Sequence, residues 1–213
     1  AAMWRVPTPG SVSPVSVDPG TPAPPGTRVG VEGPPSTFLF TDIEGSTRLW
    51  EEQATAMGEA LAQHDHLLRA AVAGNGGSVI KTTGDGMLAV FDDPIEAAGA
   101  ALTAQRALRD STWGGTGPLR VRMAFHAGAA ETRDGDYFGP ALNRVARILS
   151  IGHGGQVICS AVAADLARAR LGASVELVDL DSHRIGGASV FHVGALGAVT
   201  DLEVSDAAGE LGN

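Results

Sequence analysis

The sequence predicts an α+β fold, in which the helices of the first half of the chain cover one face of a mostly antiparallel sheet. Two observations lead to this prediction. Segments with the apolar spacing of helices alternate with short apolar runs, in the order β-α-β-β-α-β and then α-β-α-β-β. A tight turn around Asp85-Gly86 joins the second and third strands directly, as in an antiparallel hairpin. At 213 residues the chain can hold one domain of ordinary size with tails.

The first half of the chain supplies six elements. A strand around residues 38–40 precedes a helix over 46–74, which glycines then end. Strands over 78–80 and 87–91 flank Gly84-Asp85-Gly86, and an alanine-rich helix over 94–109 follows an aspartate pair and a proline. A long strand over 119–130 completes the set. The apolar residues assigned to the buried face of the first helix are Trp50, Ala54, Met57, Leu61, Leu68 and Ala71.

The second half extends this arrangement. Helices are predicted over 140–150 and 161–170, and strands over 156–159, 175–180 and 190–193. The first six elements match a ferredoxin-like βαββαβ core. The later strands extend it to a seven- or eight-stranded, mostly antiparallel sheet.

Composition divides the chain into three parts. Residues 1–35 hold nine of the twelve prolines and predict an extended leader or linker. The globular domain is expected over 36–196. Residues 197–213 are predicted to form a solvated acidic tail, since 200–213 carry four acids and no base.

Charge and cysteine content exclude several classes of function. A net charge of −9 argues against a nucleic-acid partner. No apolar run approaches the roughly 20 residues that span a bilayer, and there is no signal-peptide pattern, so no membrane partner is expected. The single cysteine, Cys159, cannot form an internal disulfide, which favours a cytoplasmic location.

The stretch TFLFTDIEGST places a carboxylate, Asp42, at the end of the first strand and Gly-Ser-Thr at the start of a helix. Such a carboxylate suits a hard cation, and the N–H groups of a helix start suit an anion. The alternative is an ordinary strand-to-helix turn in which Ser46 caps the helix.

Asp85 occupies the predicted hairpin turn, where Asp-Gly is also simply a common turn sequence. The strand order brings Asp42 and Asp85 towards each other. Two such carboxylates repel unless they are protonated or bridged by cations, and paired Mg²⁺ or Mn²⁺ ions would bridge them.

Three further residues complete the candidate set. Lys81 is the only lysine beside fourteen arginines, and it lies on the same hairpin as Asp85. Asn143 and Arg147 are four residues apart on the helix PALNRVARILS, so their side chains point the same way. Taken alone, both are also compatible with a solvated helix flank.

The segments FTDIEGS, KTTGDG and DYFGPALNRVAR together resemble the class III nucleotidyl cyclases, the family of adenylate and guanylate cyclase catalytic domains. The resemblance runs from about Thr37 to His192. It implies two Mg²⁺ or Mn²⁺ ions per active site, held by Asp42, Asp85 and the backbone of Ile43. It also implies that Asn143 and Arg147 stabilise the transition state.

The same resemblance assigns the nucleotide contacts. The purine is expected at Lys81 and Asp136, with Tyr137 beside them. The residues expected to hold the phosphates through their backbone are Ile43, Glu44, Gly45, Ser46 and Thr47. A lysine donor and an aspartate acceptor complement N1 and the N6 amino group of adenine, whereas guanine reverses that pattern, so ATP is the expected substrate.

The resemblance therefore predicts an adenylate cyclase that works as a homodimer, with each site shared between two subunits. The alternatives are a guanylate or relaxed-specificity cyclase, and a silent nucleotide-binding pseudo-cyclase that regulates a partner. A regulatory domain or partner is expected but not identifiable. One departure is the absence of the usual phosphate-binding lysine from 182–188, where Arg184 is the candidate substitute.

Overall fold

The structure, a computed structural model, describes residues 35–173, 175–185 and 188–195. The predicted leader up to residue 34 and the predicted acidic tail lie outside the described residues. Within the described ranges, no helix combines the length and the apolar character needed to cross a bilayer.

Nine strands are present among the described residues. Seven of them form one sheet and two form a separate hairpin. In chain order they are β1 Ser36–Ile43, β2 Ser78–Thr83, β3 Gly86–Phe91, β4 Val121–Gly128, β5 Glu131–Arg133, β6 Asp136–Phe138, β7 Val157–Ser160, β8 Val175–Ile185 and β9 Ala188–Ala195.

The main sheet has the strand order β2-β3-β1-β4-β7-β9-β8. Its first four strands form the βαββαβ core, with β1 antiparallel to both β3 and β4. Only the β4–β7 pair is parallel. The predicted α+β class and the mostly antiparallel seven-stranded sheet are therefore confirmed. Several strands are longer than predicted: β2 extends to Thr83, so that it includes Lys81, and β8 extends to Ile185.

Four helices connect the strands: α1 Ser46–Gly74, α2 Pro94–Asp110, α3 Pro140–Leu149 and α4 Ala161–Arg168. The two helices of the βαββαβ core, α1 and α2, lie on one face of the sheet as predicted, and α4 lies beside them, whereas α3 lies on the other face. Alternate residues of β1 face opposite ways, and Leu39 packs in the core beneath α1, α2 and α4. Phe38 and Phe40 pack in a second core with Val145 of α3. The sheet therefore has three helices on one face and one helix, α3, on the other.

The apolar stripe predicted for α1 is wrong at its N-terminal end. Met57, Leu68 and Ala71 are buried as expected, but Trp50 is 41% exposed and Ala54 is also exposed. Gln53 interrupts the helix with φ −146° and ψ 48°. This kink changes the direction of the first segment, so the helical period does not continue through it.

The short hairpin formed by β5 and β6 is absent from the elements predicted from the sequence. Asp134 and Gly135 both have positive φ, 51° and 79°, which is the backbone pattern of a tight two-residue hairpin turn. The Asp-Gly signal was therefore present, but three-residue strands are too short to show an apolar period.

Asp93 caps α2. Its side chain accepts a hydrogen bond of 2.9 Å from the Ile95 N–H and also pairs with Arg170. The Ile95 N–H, and then Arg170, hold the pKa of Asp93 below its ordinary value. Because the folded-state pKa is the lower one, this stabilisation is present above the ordinary pKa and is lost as the pH falls through the lowered value.

We expect Asp93→Ala to lower the free energy of unfolding by about 1 kcal/mol near neutral pH, since α2 loses its N-cap. Urea denaturation measures the change. Asp92→Ala, at the exposed neighbouring position, is the matched control. Equal losses of stability in Asp93→Ala and Asp92→Ala would contradict the assignment of Asp93 as the N-cap of α2.

Candidate active site

The two predicted metal carboxylates lie at the same end of the β1–β3 strand pair. The pairing between these strands ends at Thr41 and Met87, and Asp42 and Asp85 lie just beyond this pair. Thr41 Oγ1 accepts a hydrogen bond of 3.2 Å from the Met87 N–H. Asp42 is 2% and Asp85 5% exposed. The charge of Asp85 acts on Asp42, so the structure brings these two groups together as the sequence predicted.

Arg122 of β4 partly neutralises this pair. Its Nε and Nη2 donate to Oδ2 of Asp42 at 2.9 and 2.6 Å. Burial raises the pKa of Asp42; Arg122 opposes this effect, and the neighbouring Asp85 adds to it. Two carboxylates and one guanidinium leave one excess negative charge.

The unsatisfied oxygens fit a divalent cation. Oδ1 of Asp42 and Oδ2 of Asp85 are buried without a hydrogen-bond partner. Carboxylate oxygens are the ligands that Mg²⁺ prefers, and it commonly uses only one or two of them together with substrate phosphates. The described residues contain no cluster of three or more His, Cys, Asp or Glu that could hold a metal. The candidate ligands among the described side chains are therefore the two carboxylates alone.

The start of α1 lies next to these carboxylates. Gly45 turns the chain into the helix with φ 73°, a conformation that favours glycine. Ser46 is the first helical residue rather than the N-cap, and no side chain in the described part of the protein caps this helix. The N–H of Glu44 already donates to the Arg120 carbonyl at 2.8 Å, so it is not among the N–H groups open to a phosphate.

The purine-binding candidates are also assembled. Lys81 Nζ lies 2.5 Å from Asp136 Oδ2, and the Tyr137 N–H donates to Asp136 Oδ1 at 2.8 Å. Lys81, more than the Tyr137 N–H, holds the pKa of Asp136 below its ordinary value. Both side chains of the ion pair are about one-third exposed and accessible to a ligand. The Tyr137 ring packs edge-on against Phe38, with ring centroids 5.2 Å apart.

Asn143 and Arg147 lie on α3, on the opposite side of the sheet from α1, and both are exposed. Buried Val145 and Leu149 fix the helix so that this polar flank faces outwards. Arg184 lies on β8 opposite Ser189, and its side chain is outside the described part of the chain.

Two residues of this region, Arg122 and His64, are not indicated by any pattern in the sequence. Arg122 becomes visible only through the β1–β4 register, which sets it opposite Asp42. His64 is a fully buried polar residue in the apolar stripe of α1. His126, on β4, is a second buried histidine. It is buried with its Nδ1 2.7 Å from Ser160 Oγ, and burial lowers its pKa to about 4.

Comparison with known proteins agrees with this geometry. The model of the adenylate and guanylate cyclase catalytic domain matches residues 33–191. The chain therefore belongs to the family of adenylate and guanylate cyclase catalytic domains.

Among curated relatives, an uncharacterised protein of Mycobacterium tuberculosis is 39% identical over 153 residues, which cover 71% of this chain and 51% of that protein. The chain thus spans about half the length of this relative. An adenylate cyclase of Lachancea kluyveri is 32% identical over 147 residues, covering 57% of this chain and 8% of that enzyme.

Solved structures support the fold. An adenylate cyclase of Trypanosoma brucei in its monomeric state has a TM-score of 0.69 at 22% identity, covering 78% of this chain and 90% of that one. An adenylate/guanylate cyclase/hydrolase of Silicibacter pomeroyi has a TM-score of 0.64 at 28% identity, covering 75% and 95%. The guanylate cyclase domain of RhGC from Catenaria anguillulae, in complex with GTP, has a TM-score of 0.67 at 18% identity. The match covers 76% of this chain and 96% of that one.

Replacing Arg122 by Met removes the positive charge that pairs with the buried carboxylate of Asp42. We expect the free energy of unfolding to fall by about 3 kcal/mol without divalent cations, because one partner of a buried ion pair is left uncompensated. Added Mn²⁺ should recover much of this loss, since a cation at Asp42 replaces the missing charge.

Urea denaturation with EDTA and with Mn²⁺ makes the comparison. Arg120→Met is the matched control, because the Arg120 side chain is 73% exposed, lies 4.0 Å from Glu44 and makes one long hydrogen bond of 3.4 Å to the Gly154 carbonyl. A loss in Arg122→Met that Mn²⁺ does not reduce would contradict the placement of the cations at Asp42.

Proposed function

We propose that this protein is an adenylate cyclase, which converts ATP to 3′,5′-cyclic AMP and pyrophosphate. The observation that carries the proposal is the buried pair Asp42 and Asp85, whose unsatisfied oxygens lie beside the uncapped start of α1 in a cyclase-family domain. A cation-binding end of two strands next to an anion-binding helix start is suited to a nucleotide triphosphate.

Asp42 and Asp85, with the backbone of Ile43, would hold two Mg²⁺ or Mn²⁺ ions. Paired cations there supply Lewis-acid activation of the ribose 3′-hydroxyl and neutralise charge on the phosphates. Family membership supports divalent cations in general, and the oxygen-only ligand set supports hard ones.

The reaction forms one bond and breaks one. The 3′-oxygen of ribose loses its proton and bonds to the α-phosphorus, and the bond from that phosphorus to the β-phosphate oxygen breaks, releasing pyrophosphate. Arg147 would neutralise the charge that grows on the α-phosphate, and Asn143 would hold the ribose. The N–H groups at the start of α1, from Gly45 onward, would bind the terminal phosphates.

The Lys81–Asp136 pair supports adenine as the base. Each member keeps bonding capacity beyond the ion pair, since an ammonium has three donors and a carboxylate about four acceptor sites. Lys81 can donate to adenine N1 while Asp136 accepts from the N6 amino group. Guanine places a donor at N1 and an acceptor at O6, so both contacts would be mismatched.

A homodimer would complete each site. Asn143 and Arg147 are exposed on α3, on the opposite face of the sheet from α1. In a homodimer, Asn143 and Arg147 of one subunit would meet Asp42 and Asp85 of the other. Lys81 pairs with Asp136 rather than turning to Asp85 on its own hairpin, which supports separate sites for the purine and the cations of one chain. We further propose that the enzyme is cytoplasmic. We also propose that a regulatory domain or partner outside the described residues controls it.

The assay that tests this function measures cyclic nucleotide formation from Mn²⁺-ATP and Mn²⁺-GTP. We expect cyclic AMP as the main product, with at least a tenfold preference for ATP, because each mismatched buried contact costs about 1–3 kcal/mol. Asp85→Asn should abolish activity, and Asp134→Asn, at an exposed turn, should retain it.

Two outcomes would contradict the proposal of an adenylate cyclase. Preferred formation of cyclic GMP would indicate a guanylate cyclase. Binding of both nucleotides without turnover would indicate a regulatory pseudo-cyclase.

Mixing two inactive variants tests the shared sites. Asp42→Ala and Asn143→Ala subunits should each be nearly inactive alone, whereas a mixed dimer has one intact site. Random exchange gives half mixed dimers, so activity should recover to about a quarter of wild type. A mixture of two Asp42→Ala preparations is the control. No recovery after native mass spectrometry shows subunit exchange would exclude shared sites.

A further inference from the structure

His64 is a buried polar residue for which the proposed reaction has no use. It lies in the middle of α1 with 0% exposure, among the apolar residues that face the sheet. Its Nδ1 lies 3.0 Å from Oδ1 of Asp65, and its Nε2 is buried without a hydrogen-bond partner. A carboxylate oxygen only accepts, so Nδ1 carries the proton in this bond and Nε2 is left as the unsatisfied atom.

The packing of α1 on the sheet sets this ring at the same end of the sheet as Asp85. Leu68 lines a small apolar cavity together with Thr41 and Met87. His64 is one turn earlier on α1, about 6 Å towards the helix start. Asp85 lies in the turn just before β3, beyond Met87 and towards the same end of the sheet. His64 and Asp85 are therefore displaced from this cavity in the same direction.

Electrostatics agree with this placement. Burial lowers the pKa of His64, and the charges of Asp65 and Asp85 act in the opposite direction. Independently of this, the hydrogen bond to Asp65 places a proton on Nδ1 and leaves Nε2 as the acceptor. Oδ2 of Asp85 is likewise buried without a partner.

Two acceptors cannot bond to each other, but a water molecule can donate to both. We propose that His64 is a positioning residue for Asp85, with one buried water molecule donating to His64 Nε2 and to Asp85 Oδ2. Asp65 holds the ring from its other nitrogen. A carboxylate oxygen has a second acceptor site, so Asp85 can keep this contact and still bind a cation.

The consequence for metal binding rests on the proposed function, whereas the contact between His64 and Asp85 does not. Residues that orient a metal ligand from behind change metal affinity about 10- to 100-fold when they are replaced. His64 would act in this way on Asp85, without touching substrate or cation.

The contact itself is tested in the metal-free protein by long-range ¹H–¹⁵N correlation of ¹⁵N-labelled histidines. We expect His64 to be protonated at Nδ1, and its Nε2 resonance to shift in Asp85→Asn, while the resonances of His126 and His192 stay in place. An unchanged His64 Nε2 resonance in Asp85→Asn would overturn the proposal, whether or not any variant of His64 folds.

The metal consequence is tested by Mn²⁺ titration calorimetry of His64→Phe and His64→Gln. Phe fills the volume without an acceptor, so we expect Mn²⁺ to bind at least tenfold more weakly. Gln retains an amide oxygen, and its affinity should stay within about threefold of wild type. His192→Gln, at a buried nitrogen in the β7–β9 region, is the control and should leave Mn²⁺ affinity unchanged.

A merely structural role for His64 predicts lower melting temperatures with unchanged Mn²⁺ affinity in both variants, and that result would overturn the proposal. If the wild-type protein itself takes up no Mn²⁺, the proposed function fails instead. In that case the histidine resonances still decide whether His64 contacts Asp85.

Discussion

Two carboxylates of like charge, buried at one end of a strand pair, are the constraint on which the rest of this structure depends. Burial, and to a lesser extent the neighbouring charge of Asp85, disfavour the ionised form of Asp42. Arg122 compensates one oxygen of Asp42 and leaves one oxygen of each carboxylate unsatisfied. Such an arrangement is suited to divalent cations, which prefer carboxylate oxygens as ligands and would offset the excess negative charge.

The fold places Asp42 and Asp85 on different elements from the groups expected to bind the nucleotide base and the reacting phosphate. Helices α1, α2 and α4 cover one face of the sheet, and α3 covers part of the other. The short β5–β6 hairpin places Asp136 against Lys81 at the edge strand β2, and Tyr137 anchors the hairpin on Phe38. A site that needs both sets of groups is readily built between two copies of the chain, each contributing a different set.

The sequence predicted the α+β class, the βαββαβ core and the approach of Asp42 to Asp85, because strong apolar periods and one tight hairpin determine them. It did not predict α3 on the second face, since the choice of face depends on which residues of β1 each helix covers. The kink at Gln53 and the β5–β6 hairpin were missed because they are local and short. Arg122 and His64 become recognisable only through strand register and helix position, neither of which a linear pattern contains.

The most direct test of the central claim is anomalous diffraction from crystals of the protein with Mn²⁺ and a non-reactive ATP analogue. The account predicts two manganese peaks, each about 2.2 Å from carboxylate oxygens of Asp42 and Asp85. The analogue's phosphates should bind beside them and its purine should contact Lys81 and Asp136 of a second subunit. Manganese bound away from both carboxylates, with the nucleotide in place, would contradict the account.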